Sequence, residues 1–172
     1  MTYERFEDLP VWRAAVDLAK QVYTMTAKPA FKGQFSLKDQ IERAAVSISS
    51  NIAEGFERGT TQELLTFLYI ARGSAGEVRS LLSLLESFSA FADLKSEISN
   101  LKSLAEGISR QLRAWANSLQ ESEIKGQRYL TEKARRTTEI KRNRRDFLEK
   151  LQRIREEGKS RPDALRPDAG KA

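Results

Sequence analysis

The residues of this sequence that could do chemistry are its basic side chains, because the usual catalytic groups are missing. The chain has no cysteine and no histidine, and it carries 30 lysines and arginines against 24 acidic residues. The missing residue types exclude Ser-His and Cys-His nucleophiles and most nitrogen- or sulfur-ligated metal sites. We therefore expect no catalytic residue, no cofactor site and no metal site. The remaining chemistry is contact between guanidinium or ammonium groups and phosphates.

Four arginines are the candidate phosphate ligands of the N-terminal part of the chain. Arg72 and Arg79 are seven residues apart, so on a helix they share one face to within about 20°. Arg58 would extend this pair into a basic line, and Arg43 lies on the preceding helix. The alternative is that these four side chains form ordinary surface ion pairs.

A second basic group lies near the C-terminus. Residues 1–121 carry 14 basic and 15 acidic side chains, whereas residues 122–172 carry 16 and 9, so the net charges are −1 and +7. A basic extension on a neutral body is typical of polyanion binding, and a solubilising, disordered extension is the alternative. The candidate phosphate ligands here are Arg135, Arg136, Lys141, Arg142, Arg144 and Arg145. On a helix they would surround the axis, which suits attraction of phosphates better than reading of bases.

These basic residues need helices to position them. Apolar residues recur every three or four positions through residues 1–121 and predict four helices, with caps at Asp8, Ser36, Thr60 or Thr61, and Asp93. Short connections between the helices predict an all-α fold, an up-down antiparallel four-helix bundle. Residues 122–172 are predicted to be a basic tail, partly helical over about 128–157 and disordered at its end.

The third helix has a wider apolar surface than a bundle helix usually buries. This excess predicts a protomer–protomer interface, and the alternative is that the third helix is simply the most central one. A polar amide at the border of the second helix's apolar stripe could bond a facing helix or a neighbouring subunit, and the alternative is an asparagine that is simply half exposed. Glycines 73 and 76, inside the third helix, predict close contact between helices. The candidate interface residues are Asn51, Phe67, Ile70, Ser74 and Leu81.

One segment of the sequence resembles a known family. Residues 40–55 read QIERAAVSISSNIAEG, and they occur together with Trp12, residues 67–74 (FLYIARGS) and Glu77. In this pattern the chain resembles, over about residues 3–119, the four-helix-bundle proteins encoded in intervening sequences of large-subunit ribosomal RNA genes. That family is related in fold to the accessory variability determinants of diversity-generating retroelements. The NIAEG motif at 51–55, followed by Arg58, is its most specific part.

The resemblance implies a four-helix protomer that assembles into a homopentameric barrel and associates with RNA or DNA. In the retroelement branch it implies binding to a reverse transcriptase through a basic surface. The sequence departs from the family at Glu42, where an arginine usually precedes Arg43. Its basic tail is also longer than the usual family end, so the resemblance implies nothing about the tail.

Together these observations predict a non-enzymatic, oligomeric accessory protein that binds RNA or DNA mainly through phosphates. The alternative is a protein-interaction scaffold, such as an accessory subunit of a retroelement reverse transcriptase. The charged N-terminus lacks a signal-peptide core, and no window approaches 18 consecutive apolar residues. We therefore expect a cytoplasmic protein that does not use a membrane.

Overall fold

Four long helices account for most of the chain. The computed structural model describes residues 3–121, 140 and 143–153. The helices are α1 (Pro10–Thr26), α2 (Phe35–Glu57), α3 (Thr61–Ser87) and α4 (Lys95–Glu121), with short 3-10 helices at Phe6–Asp8, Pro29–Phe31 and Ser89–Leu94. Each long helix packs against the next, and α1 also packs against α4. The predicted all-α, up-down antiparallel four-helix bundle is therefore confirmed.

The core is mostly aliphatic, with Phe31, Phe56 and Phe91 also buried, and it receives side chains from all four helices. Its fully buried members include Leu18 of α1, Ile48 of α2, Leu82 of α3 and Leu101 of α4. Burying one such side chain contributes about 1.5–3 kcal/mol. The most extensive packing joins α3 to both α2 and α4, which makes α3 the central helix of the bundle. Much of its wide apolar surface is thus used within the protomer.

Of the predicted helix caps, one is an N-cap with a side-chain hydrogen bond in the structure. Thr60 is the N-cap of α3, where its Oγ1 accepts a hydrogen bond from the backbone N–H of Glu63 at 3.2 Å. The same hydroxyl donates to Oε2 of Glu63 at 2.7 Å, so both residues fix the start of the helix. Such a cap contributes about 1 kcal/mol.

The predicted caps of the other three helices are wrong. Asp8 belongs to the 3-10 helix before α1, and its carboxylate pairs with Arg13 at 3.1 Å. Ser36 lies inside α2, which begins one residue earlier without a side-chain cap. Asp93 lies inside the 3-10 helix before α4. In the first and third cases a short 3-10 helix precedes the α-helix, and the predicted capping residue lies two residues before the first residue of that α-helix.

Close contact between α2 and α3 depends on a glycine. A Cβ added to Gly55 would lie 2.6 Å from Cβ of Phe67 and 3.3 Å from Cδ1 of Leu64. The two helices approach here because neither needs to accommodate a side chain at position 55. The NIAEG motif therefore ends at a packing contact between helices.

The chain divides by its contacts into two units, Met1–Tyr129 and Leu130–Ala172. In the second unit residues 143–153 are helical and all exposed, including the apolar side chains of Phe147, Leu148 and Leu151. The remainder of the helix predicted over about 128–157, and the predicted disordered end, lie outside the described residues. In the part of the chain that the structure describes, no helix has the length and apolarity needed to cross a membrane.

Candidate nucleic-acid interface

A groove runs between α3 and α4. Three side-chain contacts across it define how the two helices are aligned. At one end Gln120 Nε2 donates a hydrogen bond to Tyr69 Oη at 3.0 Å. In the middle Arg79 lies 3.8 Å from Glu106, and at the other end Lys102 and Glu86 form an ion pair at 2.7 Å. Because numbering rises along α3 as it falls along α4, the helices are antiparallel and every position on one has a defined neighbour on the other.

The middle of this groove is basic. A volume of about 400 Å³ is lined by Arg72, Arg79, Tyr69, the two helix glycines and Ser109. Arg79 is exposed and its pair with Glu106 is loose, so this pair adds little stability. Arg72 is half-buried, and its guanidinium makes no ion pair or hydrogen bond to any residue that the structure describes. Among the described residues, therefore, no carboxylate forms an ion pair with this arginine of the groove.

The two glycines of α3 do not mark close packing, and that prediction is wrong. Gly73 and Gly76 are exposed, and a Cβ added to either would have no neighbour within 4 Å. A glycine inside a helix costs about 1 kcal/mol relative to alanine. In the described residues no packing requirement offsets that cost. What the glycines provide is open space and accessible backbone directly beside Arg72.

Sequence reasoning did not single out Arg113, an exposed arginine on the face of α4 that borders this groove. It lies seven residues after Glu106 and seven before Gln120 on α4. Since both of those side chains reach across to α3, the same face of α4 carries Arg113 towards the segment around Gly73. The seven-residue spacing was visible in the sequence, but the register between α3 and α4 was not.

Arg58 does not join Arg72 and Arg79, so the predicted basic line of three is wrong. Its guanidinium pairs with Glu54 and lies 5.0 Å from the ring centroid of Phe67. Position 67 is five residues from position 72, which places them about 140° apart around α3. Arg58 therefore lies on the α2 flank of α3, whereas Arg72 and Arg79 lie on the α4 flank.

Arg43 is separate as well. It is exposed on α2 and pairs with Asp39 at 3.5 Å. It lines a polar cleft between α2 and α3 that also contains Glu77. Two carboxylates in this cleft offset the single guanidinium charge, so it attracts an anion less strongly than the α3–α4 groove does.

The five candidate interface residues are divided between the core and the surface. Ser74 is 9% exposed and Leu81 8%, so both lie in the core of the protomer. Ile70 is 47% exposed, whereas Phe67 is half-buried beside α2. Asn51 is half-buried at the α2–α3 boundary. Of the five residues, Ile70 therefore has the largest exposed fraction available to a partner.

Asn51 takes part in a chain of hydrogen bonds inside the protomer. Its Nδ2 donates to the backbone oxygen of Ser47 at 2.7 Å and to Oγ of Ser47 at 2.9 Å. The Ser47 and Ser74 hydroxyls are 2.9 Å apart across α2 and α3, and Ser74 Oγ donates to the backbone oxygen of Ile70 at 3.2 Å. The chain satisfies polar groups between the two helices. It contains no group that could act as a general base.

Two of the six candidate residues in the C-terminal segment are described. Arg144 and Arg145 are exposed on the helix of residues 143–153. Arg145 Nε lies 3.7 Å from Asp146 and 4.0 Å from Glu149, both weak surface contacts. The other four, Arg135, Arg136, Lys141 and Arg142, lie outside the described residues.

These features define an all-α bundle with a basic groove between its last two helices. Within the described residues, no cluster of three or more acidic side chains could hold a metal ion. The chain belongs to the 23S rRNA-intervening sequence protein family, whose family model matches residues 7–114. The matched range contains all of α1 to α3 and most of α4, and it ends before the C-terminal helical residues. A search of the curated proteins found no match to this chain.

Proposed function

We propose that this chain is a cytoplasmic, non-enzymatic nucleic-acid-binding accessory protein. Its α3–α4 groove and its basic C-terminal segment contact phosphates. The observation that carries the proposal is Arg72, a half-buried residue without a described carboxylate partner, beside two glycines that leave the groove open. A guanidinium binds phosphate oxygens in a two-pronged geometry, and accessible helix backbone lets a phosphate chain come close.

The distribution of charge supports the same proposal. The bundle segment has a net charge of −1, and the C-terminal segment has a net charge of +7. Long-range attraction therefore comes from the C-terminal segment, and the groove supplies fixed contacts at short range. The family description names 23S rRNA, which makes a structured RNA the first ligand to test.

The groove is tested by comparing two arginine variants of the full-length protein. Arg72→Ala combined with Arg113→Ala should weaken binding to a labelled structured RNA by roughly tenfold or more, because removing each phosphate contact costs about 1 kcal/mol or more. Arg43→Ala combined with Arg58→Ala is the matched control, since it removes the same two charges from arginines that already pair with Asp39 and Glu54, and it should change affinity by less than about twofold. Equal effects in both variants would show that net charge alone, and not the groove, determines binding.

We also propose that the protein is a homo-oligomer that associates through the outer face of α3. This face consists of exposed positions at helical spacings of three, four or seven residues, namely Thr66, Ile70, Glu77, Ser80, Leu84 and Phe88. Glu77 is its one charged side chain, whereas Ile70, Leu84 and Phe88 are each nearly half exposed. An exposed helix face of this length with so little charge is typical of a surface that another protein covers.

Light scattering on purified protein tests the oligomer. Ile70→Asp should reduce the measured mass, because a carboxylate in an apolar interface loses its hydration. Gln111→Asp, at an exposed position of α4, adds the same charge elsewhere and should leave the mass unchanged. A monomeric wild-type protein would instead favour a scaffold whose outer α3 face binds a different protein, such as a reverse transcriptase.

A further inference from the structure

The α3–α4 groove continues past Tyr69 into a second pocket of different character. Tyr69 lines both the basic groove and this pocket, which has a volume of about 250 Å³. One face of α3 carries positions 62, 69 and 72, together with 65 or 66. These positions share the face because they follow one another at spacings of three or four residues. The pocket and the arginines are therefore consecutive parts of one surface.

The pocket combines apolar walls with amide groups. Leu65 and Leu119 supply aliphatic surface, and Gln62 and Gln120 supply side-chain amides that can both donate and accept hydrogen bonds. The ring of Tyr69, 43% exposed, forms the boundary towards Arg72. None of these lining side chains is charged, which distinguishes the pocket from the groove beside it.

We infer that this pocket binds one unpaired nucleobase of a single-stranded nucleic acid whose phosphates lie against Arg72. The inference rests on the proposed nucleic-acid binding and names the form of nucleic acid that fits the site. A base needs an aromatic or aliphatic surface to stack on and hydrogen-bonding groups at its edge, and the pocket offers both. Glutamine amides are common partners of base edges.

The spacing along α3 fits one nucleotide. Tyr69 and Arg72 are separated by three residues, which is about 4.5 Å along the helix axis and about 60° around it. A base beside Tyr69 thus has a guanidinium within reach of its own or the adjacent phosphate. In a duplex the base edges are paired and their faces are stacked, so a paired base cannot enter the pocket without being extruded.

The hydrogen bond between Gln120 and Tyr69 prepares the pocket for a ligand. By donating to Tyr69 Oη, Gln120 links its side-chain amide to the phenol ring across α3 and α4. The amide keeps its carbonyl oxygen and one N–H available for a base edge. Groups held in place before binding lose less conformational entropy when the ligand arrives.

The experiment uses full-length protein and three probes of one sequence: a single-stranded RNA carrying 2-aminopurine, the corresponding single-stranded DNA, and the matched RNA duplex. The wild-type protein should bind a single strand more tightly than the duplex and change the 2-aminopurine fluorescence. Tyr69→Ala should weaken single-strand binding by roughly tenfold and abolish the fluorescence change, with duplex affinity changed less than about twofold. Comparison of the two single strands shows whether the 2′-hydroxyl contributes.

Tyr69→Phe is the control for a folding defect in Tyr69→Ala, because it keeps the aromatic ring and removes only the hydroxyl. It should retain single-strand affinity within about threefold, since stacking needs the ring alone. The inference is overturned if Tyr69→Ala weakens duplex and single strand equally, or weakens neither while Arg72→Ala weakens both. In those cases nucleic-acid binding stands and the base pocket does not. If the wild-type protein binds none of the three probes, the proposed function fails as well.

Discussion

Gln120 Nε2 donates a hydrogen bond to Tyr69 Oη at 3.0 Å, and this contact joins the end of α4 to the first third of α3. The register that it marks brings Arg79 to Glu106 and places position 113 of α4 opposite the segment around Gly73. The basic groove is therefore a consequence of how two antiparallel helices align. Neither helix alone contains the set of side chains that lines it.

Gly55→Ala should destabilise the bundle by about 1–3 kcal/mol, since the added Cβ would lie 2.6 Å from Cβ of Phe67 and would force α2 and α3 apart. Urea unfolding followed by tryptophan fluorescence measures the change. Gly107→Ala is the matched control, because a Cβ there has no neighbour within 4 Å. It should stabilise the protein by up to about 1 kcal/mol through helix propensity. The reverse order of stabilities would contradict the close α2–α3 contact.

Thr60→Ala should cost about 1 kcal/mol of unfolding free energy, because it removes the side-chain cap of α3. Ser36→Ala should cost less than about 0.5 kcal/mol, because no capping hydrogen bond of α2 depends on it. Both values come from the same urea titrations. A larger effect at Ser36 than at Thr60 would mean that α2, and not α3, is held by a side-chain cap.

Ser74→Ala should lower stability by about 1 kcal/mol relative to Ser80→Ala, since it breaks the chain of hydrogen bonds that runs from Asn51 through Ser47. Replacing either serine by alanine raises the helix propensity of α3 by the same amount, because both serines lie inside this helix. Their difference in unfolding free energy therefore isolates the buried hydroxyl. Equal stabilities of the two variants would show that the hydrogen-bond chain contributes nothing.

Glu106→Gln should strengthen RNA binding a few-fold at low salt, because it removes the carboxylate that partly compensates Arg79 in the groove. Glu54→Gln removes a carboxylate beside Arg58 on the other flank of α3 and serves as the control of equal charge change. An electrophoretic mobility or anisotropy titration measures both. Equal increases in affinity for the two variants would point to net charge and away from the groove.

The helices could be predicted from the sequence because each has a regular apolar period. The start of α3 was predicted to within one residue, at Thr60 or Thr61, and the structure has its cap at Thr60, where a threonine followed by Glu63 is a strong local start signal. Asp8 and Asp93 failed as caps because short 3-10 turns precede α1 and α4. Apolar periodicity does not distinguish such a turn from the first turn of an α-helix.

The candidate site was predictable only in part. The shared face of Arg72 and Arg79 follows from a seven-residue spacing within one helix, whereas Arg113 depends on the pairing of two helices. Arg58 was grouped wrongly because the direction of the chain between α2 and α3 determines which flank of α3 it reaches. Each of these errors concerns the relative placement of elements, which a pattern within one helix does not contain.

The most direct test of phosphate-directed binding is the salt dependence of the dissociation constant of full-length protein for a structured RNA, measured between about 50 and 200 mM salt. Binding through phosphates predicts a steep fall in affinity as the salt concentration rises. In Arg72→Ala combined with Arg113→Ala, the slope of log Kd against log salt should be lower by roughly 0.7–0.9 for each phosphate that the two arginines bind. A dissociation constant that does not change with salt, or an unchanged slope in the double variant, would contradict phosphate-directed binding by the groove.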